Sequence, residues 1–402
     1  MVDIIHADFE SRGTVELRGQ KSAGVYNYVR HKDTLPLMLG WALNNEKPQP
    51  WRIYEGEPVP KILDEALRDP SVLITAFNST FERYIFNFKL GYDIPISRFI
   101  DPQASARYLS LPGSLEEVST ILGLPLNMAK DRRGEQLIQL FSKPHKKKKK
   151  RGEAVEWEFY DHTTHPKEWE EFVAYCLQDV VAEREILRRE KLLGAYPLPP
   201  LEQKIWLLDQ KINDRGIAVD VEFVTKALKL AEREKQEVIE SQNKLTGLEN
   251  ANSNSQMSDW IKTQGFEGNS LRKGAVDAAL KYNENLTPLG RQVLEARKAA
   301  SSTSYKKLAA ILRQVCDDGR IRNQFIYYGS PRCGRFSGST VQIHNLARPL
   351  VLNNHNFEDE SVMEEARGLV FKEDYDGLKQ KYGSVLLAIK SLIRTAFIAG
   401  NL

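Results

Sequence analysis

The sequence predicts an α/β domain followed by a mainly helical region. Strand-like apolar runs stand at residues 2–5 and 72–77. They alternate with the helical patterns of Ser114–Leu122 and Pro166–Glu190, and this alternation is typical of an α/β fold. Beyond residue 200 most segments have the pattern of amphipathic helices, so the second region is expected to be mainly helical.

The proline-rich segment at residues 195–200, AYPLPP, is the predicted domain boundary. Half of its residues are prolines, which lack a backbone N–H and fix φ, so a helix cannot continue through them. A chain of 402 residues has room for two or three domains. We therefore expect one domain at 1–195 and a second at 196–402.

Local signals place the helix ends of the first domain. Pro112 and Gly113 predict a turn, because these two residue types favour turn conformations. Ser114 and Glu117 have the spacing of a capping box, which satisfies the first backbone N–H groups of a helix. We therefore expect a helix to begin directly after this turn.

The second region has comparable signals. Gly216 suits the C-cap of a helix over Leu201–Asp214. A long charged helix is expected over Val221–Leu245. The sequence DDGR at residues 317–320 predicts a turn into a strand over Ile321–Tyr328.

Composition sets broad limits. The chain is 41% hydrophobic and 28% charged, which is typical of a soluble globular protein. No apolar window is long enough to span a bilayer and no signal segment is seen, so no membrane partner is expected. Cys176, Cys316 and Cys333 are scattered without metal-ligand spacing, which favours a reduced intracellular setting.

Basic residues concentrate in two places, although the formal net charge is only +3. One is the run KPHKKKKKR at Lys143–Arg151, and the other is the region 306–348. A lysine run is commonly a solvated loop. Beside a nuclease site the same run could instead hold a phosphate backbone, so both interpretations stay open.

The most informative side chains are four carboxylates and one tyrosine, spread over three segments: Asp8, Glu10, Glu82, Tyr175 and Asp179. Residues two apart in a strand share a face, so Asp8 and Glu10 can point at one site. Residues four apart in a helix also share a face, so Tyr175 and Asp179 can do the same. Unpaired carboxylates are costly to bury, so acids at the ends of apolar strands indicate a bound cation.

This residue set predicts a two-metal nuclease site. Two divalent ions about 3.5–4 Å apart activate water and neutralise the leaving oxygen in phosphodiester hydrolysis, and carboxylates are the ligands that Mg²⁺ or Mn²⁺ prefers. Each pair taken alone has a simpler interpretation, since Asp-Phe-Glu is commonly a solvated strand end and Tyr-x-x-x-Asp an ordinary helix face. Asn78 could equally cap a helix that begins near Phe81.

Their order resembles a family. Asp-x-Glu, Asn-x-x-Phe-acid and Tyr-x-x-x-Asp together resemble the tyrosine branch of the DEDD superfamily of 3′→5′ exonucleases, whose fold is ribonuclease H-like. The resemblance implies that Asp8 bridges two Mg²⁺ or Mn²⁺ ions. It implies that Glu10 and Asp179 complete the first metal site and that Tyr175 orients the attacking water.

Two positions depart from that family's pattern. Glu82 stands where the family usually has Asp, and Phe77 stands where a His often precedes the Asn. The resemblance still implies a metal-linked role for Glu82 and a substrate contact for Asn78. Neither departure removes a direct ligand of the first metal.

A second resemblance, to bacteriophage DNA polymerases of family A, covers the rest of the chain. It rests on residues 207–220 (LLDQKINDRGIAVD) and on Tyr328–Pro349, where a Gly-Arg-aromatic-Ser segment precedes Gln-x-x-Asn. A helical stretch that begins with Ser, Thr and paired lysines resembles the thumb that grips duplex DNA, and such residues are good phosphate ligands. The implied DNA-binding residues are Lys306, Lys307, Arg335, Gln342 and Asn345.

Together the resemblances imply the proofreading exonuclease, the thumb and the start of the palm of a DNA polymerase. The chain ends at Leu402, before the strand that carries the first polymerase Asp in that family. We therefore expect no polymerase active site here, in either a shortened polymerase or one piece of a split polymerase with a C-terminal partner. The implied partners are a single-stranded 3′ end and a primer-template duplex, in the cytoplasm of a phage-infected bacterium.

Two other functions are compatible with the sequence. One is a self-contained DNA or RNA exonuclease whose helical second half delivers the substrate. The other is a catalytically silent DNA-binding module in which the acids are structural remnants. The intact acids and Tyr175 count against the second of these.

Overall fold

The computed structural model describes residues 2–124, 132–147, 157–300 and 304–400. It contains two compact units: unit 1 is Met1–Gly216 with Arg322–Gln342, and unit 2 is Ile217–Ile321 with Ile343–Leu402. The boundary between the units falls at Gly216, and Arg322–Gln342 belongs to unit 1 although it follows unit 2 residues in the chain. The functional division into 1–195 and 196–402 stays a prediction. Lys148–Arg151 of the lysine run lie outside the described residues.

Unit 1 is built on a five-stranded mixed sheet of order β3-β2-β1-β4-β5. Neighbours β1–β2 and β2–β3 are antiparallel, while β1–β4 and β4–β5 are parallel. This sheet, followed by a mainly helical region, confirms the predicted fold class, a ribonuclease H-like α/β domain before a helical part. The strands are β1 (Ile4–Arg12), β2 (Leu35–Leu43), β3 (Gln49–Trp51), β4 (Leu73–Thr75) and β5 (Phe99–Ile100).

Helices surround this sheet, and two hairpins extend unit 1. The hairpins are β6 (His145–Lys146) with β7 (Trp157–Glu158), and β10 (Phe325–Ser330) with β11 (Arg335–Gly338). A π-helical turn at Ile85–Lys89 continues α3, and 3₁₀ turns lie at Ile53–Glu55 and Ile96–Arg98. The α-helices of unit 1 are α1 (Val25–Arg30), α2 (Lys61–Arg68), α3 (Thr80–Tyr84), α4 (Pro102–Tyr108), α5 (Leu115–Ile121), α6 (Arg132–Ser142), α7 (Pro166–Leu192) and α8 (Pro200–Arg215).

The long helix α7 packs against β1 and β2, and a glycine permits its close approach. A Cβ on Gly40 of β2 would lie 3.0 Å from the Sγ of Cys176 and 3.1 Å from a Cγ of Val180. Gly40 is also the register partner of Asp8. A side chain at this position would require α7 to move by a few tenths of an ångström, so glycine favours the close packing of α7 over the part of β1 that carries Asp8.

A buried polar network fixes how α7 is placed along the sheet. Glu183 of α7 lies 3.0 Å from the Nδ1 of His6 on β1, and it accepts a hydrogen bond from the hydroxyl of Thr75 on β4. All three side chains are at most 4% exposed. A buried carboxylate needs partners of this kind, so sliding α7 by one turn would leave three buried polar groups unsatisfied.

Unit 2 is mainly helical and is held together by its own ion pairs and caps. Arg367 bridges the N-terminal Asp220 of α9 and the carbonyl of Thr395, with distances of 2.7 and 2.8 Å. Glu234 on the same helix accepts hydrogen bonds from the hydroxyl of Ser384, at 3.1 Å, and from the backbone N–H of Leu386. The helices are α9 (Val221–Thr246), α10 (Asn254–Thr263), α11 (Lys273–Tyr282), α12 (Pro288–Ala300), α13 (Ser304–Gln314), α14 (Glu360–Phe371), α15 (Tyr375–Tyr382) and α16 (Val385–Leu392).

Short strand pairs and turns complete unit 2. The 3₁₀ turns lie at Ile343–Asn345 and Ile393–Ala396. The strand pairs are β8 (Ile217–Ala218) with β9 (Arg320–Ile321), and β12 (Val351–Leu352) with β13 (His355–Asn356). None of the helices in the described ranges is long and apolar enough to cross a membrane.

Most of the local predictions are confirmed and one is wrong. Ser114 caps α5 by accepting the N–H of Glu117 at 3.2 Å, and Gly216 ends α8 with φ 70°. The continuous strand expected over Ile321–Tyr328 is instead two strands, β9 and β10. Asn323 adopts φ 55° between them, a left-handed conformation that lies outside the β region and interrupts regular strand geometry.

Glu190 of α7 is fully buried, and neither of its carboxyl oxygens has a hydrogen-bond partner among the described residues. Burial raises the pKa of Glu190 to about 9, and the charges of Asp101 and Glu183 act in the same direction. The group is therefore neutral in the folded chain at pH 7 and ionised in the unfolded chain. The contribution of Glu190 to folding stability therefore falls as the pH rises from the ordinary carboxyl pKa towards 9.

We expect Glu190→Leu to raise the free energy of unfolding at pH 8 by a few kcal/mol, because each tenfold change in the ionisation equilibrium of a carboxyl group corresponds to about 1.4 kcal/mol. It should also flatten the fall in stability between pH 5 and 8, measured by denaturant unfolding. Glu185→Gln is the control on the same helix: Arg188 and Arg189 lower the pKa of Glu185 to about 2, so its loss should slightly destabilise the chain. An unchanged pH slope in Glu190→Leu would contradict the assignment.

Candidate metal centre

Three of the predicted acids meet in unit 1. The ligand oxygens of Asp8, Glu10 and Asp179 all lie within 4.8 Å of one another. Glu10 and Asp179 are 9% and 8% exposed, so the cluster lies at the edge of the interior. Like charges this close repel each other in a poorly solvated place, and a bound cation would remove that repulsion.

The two elements that carry these acids explain their meeting. His6, Asp8 and Glu10 alternate along β1 and therefore share the face that His6 presents to Glu183. Asp179 precedes Glu183 by one helical turn and shares its face of α7. The register of β1 against β2 shifts between Glu10 and Ser11, a bulge of the kind that re-aims side chains beside active sites.

Tyr175 stands one turn before Asp179 on α7. Burial raises the pKa of its phenol above the ordinary value, and the nearby charges of Asp179, Glu10 and Asp8 raise it further. The hydroxyl therefore keeps its proton at neutral pH and can donate a hydrogen bond. The ring is stacked on Phe172 with centroids 6.4 Å apart, which fixes its plane.

Helix α6 closes over the other side of the Tyr175 ring. A Cβ on Gly134 would lie 2.2 Å from Cε2 and 2.7 Å from Cδ2 of that ring. Gly134 is therefore required for the present distance between α6 and Tyr175, since real atoms do not approach so closely. The tyrosine is held between two helices of unit 1 rather than exposed on one of them.

Cys176 lies beneath the acid cluster. Its thiol donates to the backbone carbonyl of Asp8 at 3.4 Å. Burial raises the pKa of Cys176 well above its usual range, and the charges of Asp8, Glu10 and Asp179 act in the same direction. This cysteine therefore stays a neutral packing residue and supplies no ligand.

Glu82 is not one of the three acids within 4.8 Å of one another, but its carboxylate accepts the backbone N–H of Phe9, the residue between Asp8 and Glu10. It is 4% exposed on α3, and its Oε2 has no hydrogen-bond partner among the described residues. Burial raises the pKa of Glu82 well above its usual range, although the N–H of Phe9 lowers it. Such an orphaned buried acid fits a site that is completed by a cation or its water.

Asn78 does not cap α3, because the residue before that helix is Ser79. Asn78 is exposed and adopts φ 71°, and its N–H donates to Asp101 at 3.0 Å. Asp101 also accepts the N–H groups of Ser79 and Gln103, so one buried carboxylate holds the loop that presents Asn78. The capping alternative for Asn78 is therefore wrong, and its side chain is available to a ligand.

A cavity of about 260 Å³ in unit 1 lies beside this loop, where β4 and β5 end. Asn78, Asp101, Arg107, Trp206 and Asp209 are among its lining residues. Burial raises the pKa of Asp209 to about 7 and lowers the pKa of Arg107. The cavity is a polar recess next to Asn78 with an aromatic wall.

The structure places the predicted DNA-binding residues in both units. Lys307 donates to the carbonyl of Asn345 at 3.1 Å within unit 2, and burial lowers the pKa of Lys307. Lys306 is exposed on the same helix. In unit 1, Arg335 and Gln342 are exposed, and the Nε of Arg335 lies 3.1 Å from the Sγ of Cys333.

The donor set fits a hard divalent cation. Three carboxylates supply oxygen ligands, which Mg²⁺ and Mn²⁺ prefer, and no soft ligand takes part because Cys176 bonds elsewhere. The residues that could hold the ion directly are Asp8, Glu10 and Asp179.

Sequence reasoning missed the residues that support these acids. His6 and Glu183 carry the register of α7, and Gly40 and Gly134 permit its close contacts. The spacing rule that paired Asp8 with Glu10 also pairs His6 with Asp8, and Asp179 with Glu183. That signal was present, whereas no local pattern points to either glycine.

Comparisons with known proteins show a relative over almost the whole chain. No protein-family model matches. The DNA polymerase of Bacillus phage SP02 is 32% identical over 391 residues, which is 97% of this chain and 57% of that protein. The predicted resemblance to a bacteriophage DNA polymerase is confirmed, and the chain spans rather more than half of that relative's length.

Solved structures also match this chain, and one of them is described as the POL domain of Pol1 from M. smegmatis in complex with DNA primer-template and dNTP. The TM-score is 0.47 with 12% identity, over 89% of this chain and 53% of that chain.

We expect Gly134→Ala to destabilise the chain by about 1–3 kcal/mol, the usual cost of overpacking, because the new methyl group overlaps the Tyr175 ring. Denaturant unfolding measures this. Gly368→Ala on α14 is the control: nothing lies within 4 Å of its Cβ position, so alanine should stabilise that helix by up to about 1 kcal/mol.

A second experiment tests whether the Tyr175 ring is the group that the new methyl group overlaps. In a Tyr175→Ala background, Gly134→Ala should cost much less, because the overlapping ring is gone. Equal costs in both backgrounds would show that the destabilisation arises elsewhere on α6.

Proposed function

Since the chain is related over 97% of its length to a phage DNA polymerase, we propose that unit 1 is a metal-dependent 3′→5′ exonuclease with a proofreading role. The observation that carries the proposal is the meeting of Asp8, Glu10 and Asp179 within 4.8 Å, with Tyr175 one turn away on the same helix. Three carboxylates that could hold divalent ions, with a protonated phenol beside them, suit metal-assisted in-line hydrolysis of a phosphodiester.

The three carboxylates would hold Mg²⁺ or Mn²⁺. Asp8 stands in the middle strand of the sheet and is the acid we assign to bridge two ions, while Glu10 and Asp179 complete the first site. The ions, when bound, supply Lewis acidity and charge neutralisation at the scissile phosphate. The chain's own task is to keep these oxygens converged, and the pairing of His6 with Glu183 supports that geometry.

Tyr175 would orient the attacking water. Its phenol stays protonated, because burial and three neighbouring carboxylates raise its pKa. A hydroxyl that donates in a fixed direction would hold the water with a lone pair directed at phosphorus. The contacts of the ring with Phe172 and Gly134 fix that direction.

Asn78 and Glu82 would act on the substrate side. The exposed amide of Asn78 stands beside the polar cavity, where the last nucleotide of a DNA strand can contact it. Glu82, whose Oε2 has no hydrogen-bond partner among the described residues, would contact the second ion through a water molecule. The longer side chain of Glu82 in place of Asp is compatible with this indirect role.

The remaining chain would bind primer-template DNA. Lys306, Arg335, Gln342 and Asn345 are exposed, and we assign them to the DNA backbone or bases. Lys307 is half-buried with its ammonium on the Asn345 carbonyl, so we assign it to positioning that turn as well as to phosphate. A C-terminal polymerase segment, in the same or another chain, belongs to this proposal.

We expect Asp8→Ala and Asp179→Ala to abolish release of mononucleotides from 3′-labelled single-stranded DNA. Each substitution removes an oxygen ligand, so Mn²⁺ affinity measured by calorimetry should fall as well. The metal-free variants should be as stable as the wild type or more stable, because repulsion between the acids is relieved. Asp33→Ala, at an exposed acid away from the cluster, is the control. Cleavage at the wild-type rate by either variant would contradict the proposal.

We expect Tyr175→Phe to slow cleavage by roughly 10²–10⁴-fold, the usual contribution of a positioned acid–base group, with the Kd for DNA and metal unchanged. Single-turnover kinetics at saturating enzyme measures the chemical step. If the variant loses DNA affinity while the rate at saturation is unchanged, then Tyr175 packs against the substrate and does not orient water.

A further inference from the structure

The hairpin β6–β7 presents an aromatic ring and a lysine side by side on its outer face. Lys146 and Trp157 are directly opposite in the antiparallel register, so their side chains share one face. Trp157 is 58% exposed, and the Nζ of Lys146 lies 5.7 Å from the centre of its ring. An exposed ring with a cation beside it offers a flat surface on which a nucleic-acid base can stack next to a charge for its phosphate.

The other face of the hairpin is anchored to unit 1. His145 stacks on Tyr160 with centroids 4.4 Å apart and an angle of 17°, and its Nε2 lies 2.8 Å from the carbonyl of Leu140. The guanidinium of Arg12, at the end of β1, lies 4.8 Å from the ring of Phe159, the second residue after Trp157. The outer face is therefore carried on a fixed base and lies near the end of the strand that bears Asp8 and Glu10.

A continuous series of ring contacts joins this base to the catalytic tyrosine. Successive centroids are 4.4, 4.4, 6.5, 5.3 and 6.4 Å apart. The rings, from the hairpin to the metal centre, are His145, Tyr160, His165, Phe141, Phe172 and Tyr175.

Helix α6 gives a second measure of the separation. Gly134 lies against Tyr175, and the helix ends eight residues later at Ser142, just before the hairpin. At 1.5 Å per residue this length is about 12 Å. The outer face of the hairpin thus lies a few nucleotides of extended single strand from the metal centre.

We propose that the outer face of the β6–β7 hairpin binds the single-stranded DNA that leads into the metal centre. A base of this strand stacks on Trp157, and Lys146 contacts the adjoining phosphate. The proposal rests on the nuclease function assigned above to unit 1. The hairpin would be a second binding site for the same DNA strand, several nucleotides from the scissile bond.

The chemistry of the face favours a single strand. Bases stack on exposed aromatic rings without regard to sequence, and a neighbouring cation tracks the backbone. A base pair inside a duplex offers no free face to Trp157, so a double strand would gain only the charge of Lys146. A protein partner would be expected to cover an apolar patch, whereas the residue paired with Trp157 is Lys146, which the exposed Lys147 follows in the chain.

The test measures binding of single-stranded oligothymidylates of three and fifteen nucleotides by fluorescence anisotropy, with Mg²⁺ present. The protein is the full chain carrying Asp8→Ala, so that the oligonucleotides are not cleaved during the binding measurement. Trp157→Ala should weaken binding of the 15-mer by about tenfold, within the range that one base–aromatic stack contributes, and leave the 3-mer unchanged. Trp157→Phe should retain most of the affinity, because it keeps a stacking face.

Lys146→Ala supplies an independent readout. Losing one phosphate contact should reduce the slope of log K against log salt concentration by about 0.7 for a single strand. Tyr282→Ala is the matched control, since Tyr282 is 70% exposed in unit 2 with the ammonium of Lys281 4.9 Å from its ring. The control should leave both oligonucleotides bound as before, and unfolding curves should show that every variant is folded.

Two results would overturn the proposal. In the first, the Trp157→Ala variant binds the 15-mer as tightly as the Tyr282→Ala variant does. In the second, Trp157→Ala weakens binding of the 3-mer and the 15-mer by the same factor. The nuclease assay on the chain with Asp8 intact is separate. If the chain cleaves DNA but Trp157→Ala does not change binding of the 15-mer, the hairpin proposal is refuted and the nuclease function is not. A chain that does not cleave refutes the nuclease function, whatever the binding data show.

Discussion

The buried contact of Glu183 with His6 and Thr75 is the constraint on which the metal centre depends. It joins α7 to the two central strands of the sheet at a position where a carboxylate cannot go unpaired. Asp179 lies one helical turn before Glu183, and Asp8 lies two strand positions after His6. Once the contact is made, both acids are brought to the same point, and a shift of α7 by a turn would separate them.

The interior of unit 1 contains several acidic side chains besides those of the candidate metal centre. Glu82, Asp101, Glu183, Glu190 and Asp209 are all below 10% exposed, in addition to the acids of the metal centre. Burial raises the pKa of Glu190 to about 9 and that of Asp209 to about 7, so part of this charge is removed by protonation. Asp101 and Glu183 are stabilised by partners instead: Asp101 accepts the N–H groups of Asn78, Ser79 and Gln103, and Glu183 contacts His6 and Thr75.

Aromatic packing positions Tyr175, just as the buried contact of Glu183 positions the acids. The ring series from His145 to Tyr175 makes α6, α7 and the β6–β7 hairpin one packed layer over the metal centre. Gly134 sets the thickness of that layer against Tyr175, and Gly40 sets the distance of α7 from the sheet. Positioning of the phenol therefore depends on two residues that have no chemistry of their own.

By itself the sequence determined the fold class and most of the helix ends, which follow from local periodicity, and it pointed to the acids Asp8, Glu10 and Asp179 that the structure brings together. Apolar runs, a capping serine at Ser114 and the spacings of Asp8 with Glu10 and of Tyr175 with Asp179 are all short-range signals. Tertiary structure decided the rest. The role of Glu183, the need for Gly134 and the break at Asn323 depend on residues far away in the chain, and no local pattern encodes the distance between two packed elements.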